Sequence, residues 1–141
     1  FWEGMPRYAQ ANQSQWDKDF RAAVGVDENG ASVSDAKDVS TYAHMFGCWE
    51  TLHIIKQAME AADYQGPADR AKLIEATEAI SIIQAGPGHP QGAKVFNGKT
   101  HQVFGHQYIS RVEQGKLVLA HTTSIADTFY PDEVDYTTQS F

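Results

Sequence analysis

One long segment, Tyr42 to Ala62, most constrains the fold of this chain. Met45, Cys48, Leu52, Ile55, Met59 and Ala62 are separated by 3, 4, 3, 4 and 3 residues. At 3.6 residues per turn they fall within a stripe about 100° wide. Glu50, His53, Gln57 and Glu60 lie to one side, Trp49 sits at the margin, and Ile54 lies almost opposite. The stripe is expected to be buried. Ile54 implies contact on more than one side, so the helix is expected inside a layered domain.

The segments around it read in the same way. Trp16, Phe20 and Val24 recur four residues apart and predict a helix over about 12–24, with Gly25 at its C-terminus. Phe1 and Trp2 could end a strand that Gly4 and Pro6 break. The stretch 26–37 is polar and turns at Asn29-Gly30. Pro67 suits the first turn of a third helix over about 67–79. Ile80, Ile82 and Ile83 follow as a short extended piece, and a Gly/Pro-rich loop runs from Gly86 to Gly98, interrupted by a strand at Ala93 to Phe96. Gln107 to Val112 alternates, Glu113-Gln114-Gly115-Lys116 turns, and Leu117 to Leu119 returns as a hairpin. In the acidic tail after Ala126, Phe129, Tyr130, Tyr136 and Phe141 are candidate anchors.

At 141 residues, 42% hydrophobic and 21% charged, the chain can bury roughly two-thirds of its unfolded surface as one domain. Net charge is −7, and the eleven Lys and Arg are scattered, which argues against nucleic acid as a partner. Cys48 stands alone, so no intrachain disulfide can form. No apolar run reaches the roughly eighteen residues of a membrane span. The opening Phe1-Trp2-Glu3-Gly4 reads like the interior of a longer protein.

Little here looks catalytic. His89, His101 and His106 could ligate zinc, but H-x11-H-x4-H matches no standard site, and the plain reading is freely titrating loop histidines. There is no G-x-S-x-G, H-E-x-x-H or C-x-x-C. Cys48, Met45 and Met59 are expected to pack in the core, and Glu75 and Glu78 to form a solvated face. No catalytic residue, metal or cofactor is expected. Tyr42 is more informative. It opens a helix, whose N-terminus carries free N–H groups and a positive dipole end, and in open α/β sheets ligands sit at that edge. The equally plain alternative is a buried staple.

These residues carry a resemblance. Ser40-Thr41-Tyr42-Ala43, opening a helix that ends Gln57-Ala58-Met59-Glu60-Ala61-Ala62, resembles the helix with a Tyr-Asp-Ala type start in branched-chain amino-acid-binding proteins. Arg70-Ala71-Lys72-Leu73-Ile74-Glu75-Ala76 is similar to that family's next short helix, and Gly92-Ala93-Lys94-Val95-Phe96 to its following strand. Thr100-His101-Gln102, Tyr108 to Val112 and Gly115 to Val118 resemble the closing hairpin, and Met5 to Tyr8 with Trp16 and Phe20 the re-entry into the first lobe. In this order the chain resembles the C-terminal portion of type I solute-binding proteins of ABC transporters, in the leucine/isoleucine/valine and amide/urea group.

The resemblance implies an α/β fold, part of a two-lobed, three-layer αβα protein. About 5–88 would be a mainly helical part of one lobe, about 89–125 the closing strands and hinge crossing, and 126–141 a tail. It implies a periplasmic or extracellular protein, with a cell-surface lipoprotein as one form, and a signal peptide in its precursor. Its partners would be a small polar solute, a transporter permease and the missing N-terminal part of the same protein. In leucine-binding relatives the loop before the Tyr-led helix contacts ligand. The candidate binding residues are therefore Lys37, Asp38, Val39 and Tyr42. Relatives favour apolar or aromatic residues there, so Lys37 and Asp38 leave room for a more polar solute than an aliphatic amino acid. Two other functions stay open: a cytoplasmic or membrane-linked sensor of the same fold, and a histidine-based metal domain or small enzyme.

Overall fold

The chain is a mixed α/β protein, seen in a computed structural model that describes residues 2–3, 14–28, 30–35, 37 and 42–139. Among these, strand β1 (Trp2–Glu3) is followed by helices α1 (Gln15–Val24) and α2 (Tyr42–Ala61). A single 3-10 turn, Pro67–Asp69, leads into α3 (Arg70–Glu78). Then come β2 (Ile82–Ile83), β3 (Lys94–Asn97), β4 (Gln102–Phe104), β5 (Gln107–Glu113) and β6 (Lys116–Thr123), with 3-10 turns at Ala126–Thr128 and Tyr136–Thr138. No helix among the described residues is long and apolar enough to cross a membrane.

Capping chemistry sets the ends of α1. The Ser14 side chain accepts from the Asp17 amide at its start. At its end Gly25 adopts φ 73° and returns its amide to the carbonyls of the last turn. The sequence places this helix three residues earlier; Asn12 and Gln13 lie outside the described residues.

Among the described residues two small antiparallel sheets form, β1-β5-β6 and β2-β3-β4. The β5–β6 hairpin pairs Glu113 with Lys116. Gln114 and Gly115 both take positive φ (49° and 76°), as a two-residue turn that follows strand twist requires. A register shift after Ile109 bends the pair. Strand β4, absent from the sequence expectation, pairs Phe104 with Val95.

The core corrects the expectation for α2. Met45, Leu52, Ile55 and Met59 are exposed, Leu52 by 63%, and Cys48 is exposed with them. The helix instead buries Phe46, Glu50 and Ala58, with Ile54 partly buried. Those four stand on one i, i+4 ridge on the far side of the helix, the row along which helices commonly pack obliquely. Ala58 joins Ile80, Ile83 and Phe96, and Ile54, Leu73 and Ala76 pack around them. Helix α2 therefore lies on α3 and on the β2-β3-β4 sheet. Farther up the ridge, Phe46 meets Phe20 of α1 at a ring separation of 4.5 Å.

Candidate functional site

The segment with the candidate binding residues is described only in part. Lys37 is exposed, and its amide donates to Asp35 Oδ1 at 3.0 Å. Tyr42 is the first residue of α2, as the sequence predicts, but its side chain lies outside the described residues, as do Asp38 and Val39.

What the described residues do bring together is a buried polar seam below that end of α2, which the sequence does not announce. Arg21 Nε donates to Asp17 Oδ2 at 2.9 Å inside α1, and both residues are almost wholly buried. Arg21 Nη1 also donates to the Asp27 carbonyl at 3.1 Å, and its guanidinium lies over the Phe46 ring. One oxygen of Asp17, Oδ1, and one guanidinium nitrogen, Nη2, have no partner. Burial pushes the Asp17 carboxyl above its ordinary range, against the pull of Arg21 and Lys18.

Glu50 continues the seam. Its Oε1 accepts from the Gln91 amide at 2.9 Å, and its Oε2 accepts from Gln91 Nε2 at 3.2 Å and pairs with Lys94 Nζ at 2.8 Å. Lys94 also donates to the Gly92 carbonyl at 2.9 Å. Buried Tyr108 on β5 feels both acids: burial, then Asp17, then Glu50 push its hydroxyl pKa upward. The seam therefore reaches from α1 and α2 to β3 and to β5, which belong to different sheets. Its charges are enclosed and mutually neutralised, which makes it a clamp between elements rather than a reactive centre.

The histidines part company. Trp49 Nε1 donates to the Pro87 carbonyl at 2.9 Å, holding the Gly/Pro loop on α2. Under that loop His89 comes within 6.1 Å of His53, and its Nδ1 is buried without a partner. Burial first, then Lys94 and His53, lower its pKa to about 4. That overturns the expectation of a freely titrating residue. His101 Nε2 instead meets Glu78 Oε1 at 2.8 Å and stacks on Tyr136, so Glu78 is not simply solvated. His106 bonds the Thr123 carbonyl through Nδ1 at 3.1 Å. No group of three His, Cys, Asp or Glu among the described residues could hold a metal ion.

The tail anchors as expected where it is described. Phe129 and Tyr130 stand edge-on to Phe104 at 4.8 and 5.2 Å, and the Tyr136 amide donates to the Lys99 carbonyl at 2.7 Å. Phe141 lies outside the described residues. Compared with known proteins, the chain matches no family model, no curated protein and no solved structure.

Proposed function

We propose that this chain is the trailing part of a type I solute-binding protein, a two-lobed αβα clamp outside the cytoplasm. It would hold a small polar solute, an amino acid, amide or related compound, and hand it to a transporter permease without transforming it. One observation carries this reading: the apolar stripe of α2 stands exposed. Met45, Leu52, Ile55 and Met59 face solvent while the opposite ridge packs on α3 and a sheet. A contiguous apolar face of this kind marks a surface meant to be covered. A helix clad on both sides is what a layered lobe needs, and the upstream part of such a protein would supply the second layer. The order of helices, strand and closing hairpin supports the same reading. In this reading ligand binding shifts a hinge equilibrium toward the closed lobes.

Native mass spectrometry of the whole protein is expected to find a bound small polar molecule. Val39→Ala and Tyr42→Ala should weaken its binding about tenfold while barely moving the melting temperature. No bound molecule, or unchanged affinity in both variants, rejects the proposal. The isolated segment should also bind a hydrophobic dye, and a dye-silent monomer would count against a missing layer.

A further inference from the structure

The turn Gly86-Pro87-Gly88-His89 rests on α2, and a pair of imidazoles lies between them. Gly86 and His89 exchange backbone hydrogen bonds across the turn, so it moves as one unit. Trp49 Nε1 donates to the Pro87 carbonyl, and the His89 ring stands edge-on to His53. The Gly88 backbone lies directly on the His53 ring: a Cβ there would come within 2.6 Å of His53 Cδ2. The flanks are pinned more firmly. Before the turn, β2 is paired to β3; after it, Pro90 is buried and Gln91 is bound to Glu50 through its amide and its side chain. A lightly held turn between firm anchors is the kind of segment that opens locally, below the free energy of global unfolding.

His89 has no place for a charge while the turn is closed. An imidazolium carries a proton on both ring nitrogens. His89 Nδ1 is shut away from solvent and has no hydrogen-bond partner among the described residues. A proton there would be a buried, unmet N–H on a buried charge. The groups around the ring give no relief. Lys94 of β3 is itself a cation, and His53 of α2 already donates Nδ1–H to the Trp49 carbonyl at 3.0 Å. Glu50 of α2, on the far side of Lys94, already takes Lys94 and two donors of Gln91. Asp19 of α1 shares a cavity wall with Pro87 and binds Gln15 Nε2 at 2.7 Å. Swung into water, the same ring would hold a proton at mildly acidic pH.

We infer that the Gly86–His89 turn is a proton-released latch: uptake of a proton by His89 frees the turn from α2 while the sheets stay closed. Release withdraws Pro87 from an apolar cavity of about 250 Å³ between α1 and α2, which Trp16, Phe20, Ala23 and Trp49 also line. Acidification thus opens that cavity to solvent. The device is independent of the proposed transport function, since it uses none of the Lys37–Tyr42 segment.

The test is hydrogen exchange followed by NMR on the unsubstituted chain at pH 7.5 and pH 5. The Trp49 indole N–H reports the latch, because it is bonded to the turn. The Phe96 amide, bonded to the Ser81 carbonyl at 2.8 Å, reports opening of the sheet. Protection of each is taken relative to an unstructured peptide at the same pH. The indole should be at least about tenfold less protected than the Phe96 amide at both pH values. Its protection should fall about thirtyfold from pH 7.5 to pH 5, as expected for a ring that titrates at about 4 closed and 6.5 open. In His89→Gln the indole should stay less protected than Phe96 and lose that fall. An indole as protected as Phe96 would overturn the inference, because the turn would then leave α2 only when the whole fold opens. So would indole protection that does not change with pH, or a fall that persists in His89→Gln. If that variant does not fold, the His89 ring carbons of the unsubstituted protein decide: a titration midpoint near 4 is expected, and one near 6.5 would overturn the latch.

Discussion

Lys94 Nζ reaches Glu50 Oε2 at 2.8 Å, and this contact ties the first half of α2 to the first residue of β3. Both side chains are largely buried, and Gln91 closes the rest of the carboxylate. Burying such a pair is costly, and breaking it from one side is costlier, because the survivor keeps its charge without its partner. Glu50→Leu should therefore lower the unfolding free energy by about 3–5 kcal/mol, as it strands Lys94. Lys94→Met should cost less, because Gln91 still serves Glu50. The double variant should recover much of the Glu50→Leu loss. Urea denaturation of the three variants checks this; a loss under about 1 kcal/mol for Glu50→Leu contradicts the clamp.

The two faces of α2 should answer oppositely to truncation. Phe46 is 1% exposed and packs on Phe20 and the Arg21 guanidinium. Phe46→Ala should destabilise the fold by about 3–5 kcal/mol. Leu52, at the centre of the stripe, should lose less than about 0.5 kcal/mol as Leu52→Ala. Leu52→Glu should leave stability alone and suppress dye binding. Chemical denaturation and dye fluorescence read both effects; equal losses at the two positions would mean that the stripe is buried in solution.

That contrast shows what was legible in the sequence. The helix itself was, because its apolar spacing is helical whichever face packs. The choice of face was not. The stripe from Met45 to Met59 runs along the axis and is unbroken, whereas the buried ridge drifts around the helix and includes a glutamate. Glu50 hides the ridge from any hydrophobic pattern, and only its distant partners Gln91 and Lys94 make it a core residue. Short-range features fared better: the Gly25 cap and the Gln114-Gly115 turn are decided by neighbouring residues. Strand β4 is three residues long and forms by pairing with β3, so its own residues carry little signal.

Gly98 permits the turn between β3 and β4 to rest on the end of α3. A Cβ there would overlap the Glu78 carbonyl oxygen and lie 2.9 Å from its carbon, and backbone atoms cannot swing aside as a side-chain tip can. This close approach also sets His101 against Glu78. Gly98→Ala should cost about 2–4 kcal/mol through forced separation of turn and helix, and the His101–Glu78 contact should go with it. Gly66→Ala, with nothing within 4 Å of the added carbon, is the matched control and should not clash. A thermal melt in which both variants behave alike would contradict the packing described for this turn.

His89 should make stability depend on pH in the mildly acidic range. Its folded pKa is about 4, and its ordinary value is 6.5. The folded state therefore keeps it neutral while the unfolded chain takes up a proton as pH falls below about 6.5. In that window the unfolded state binds more protons, so stability declines from about pH 6.5 toward about pH 4 and is unaffected by this group above it. The groups facing it are Lys94, whose charge opposes a second cation, and His53, with Glu50 on the far side of Lys94. Asp17 acts in the other direction: its raised carboxyl loses folding stability as pH climbs past 3.8. Comparing His89→Gln with the unsubstituted protein cancels Asp17 and leaves the histidine. The difference in melting temperature should be small and constant above about pH 7, then move in favour of His89→Gln as the solution is acidified to about pH 4.5. Parallel curves for the two proteins across that range would mean that the imidazole is as accessible to protons in the fold as in the open chain.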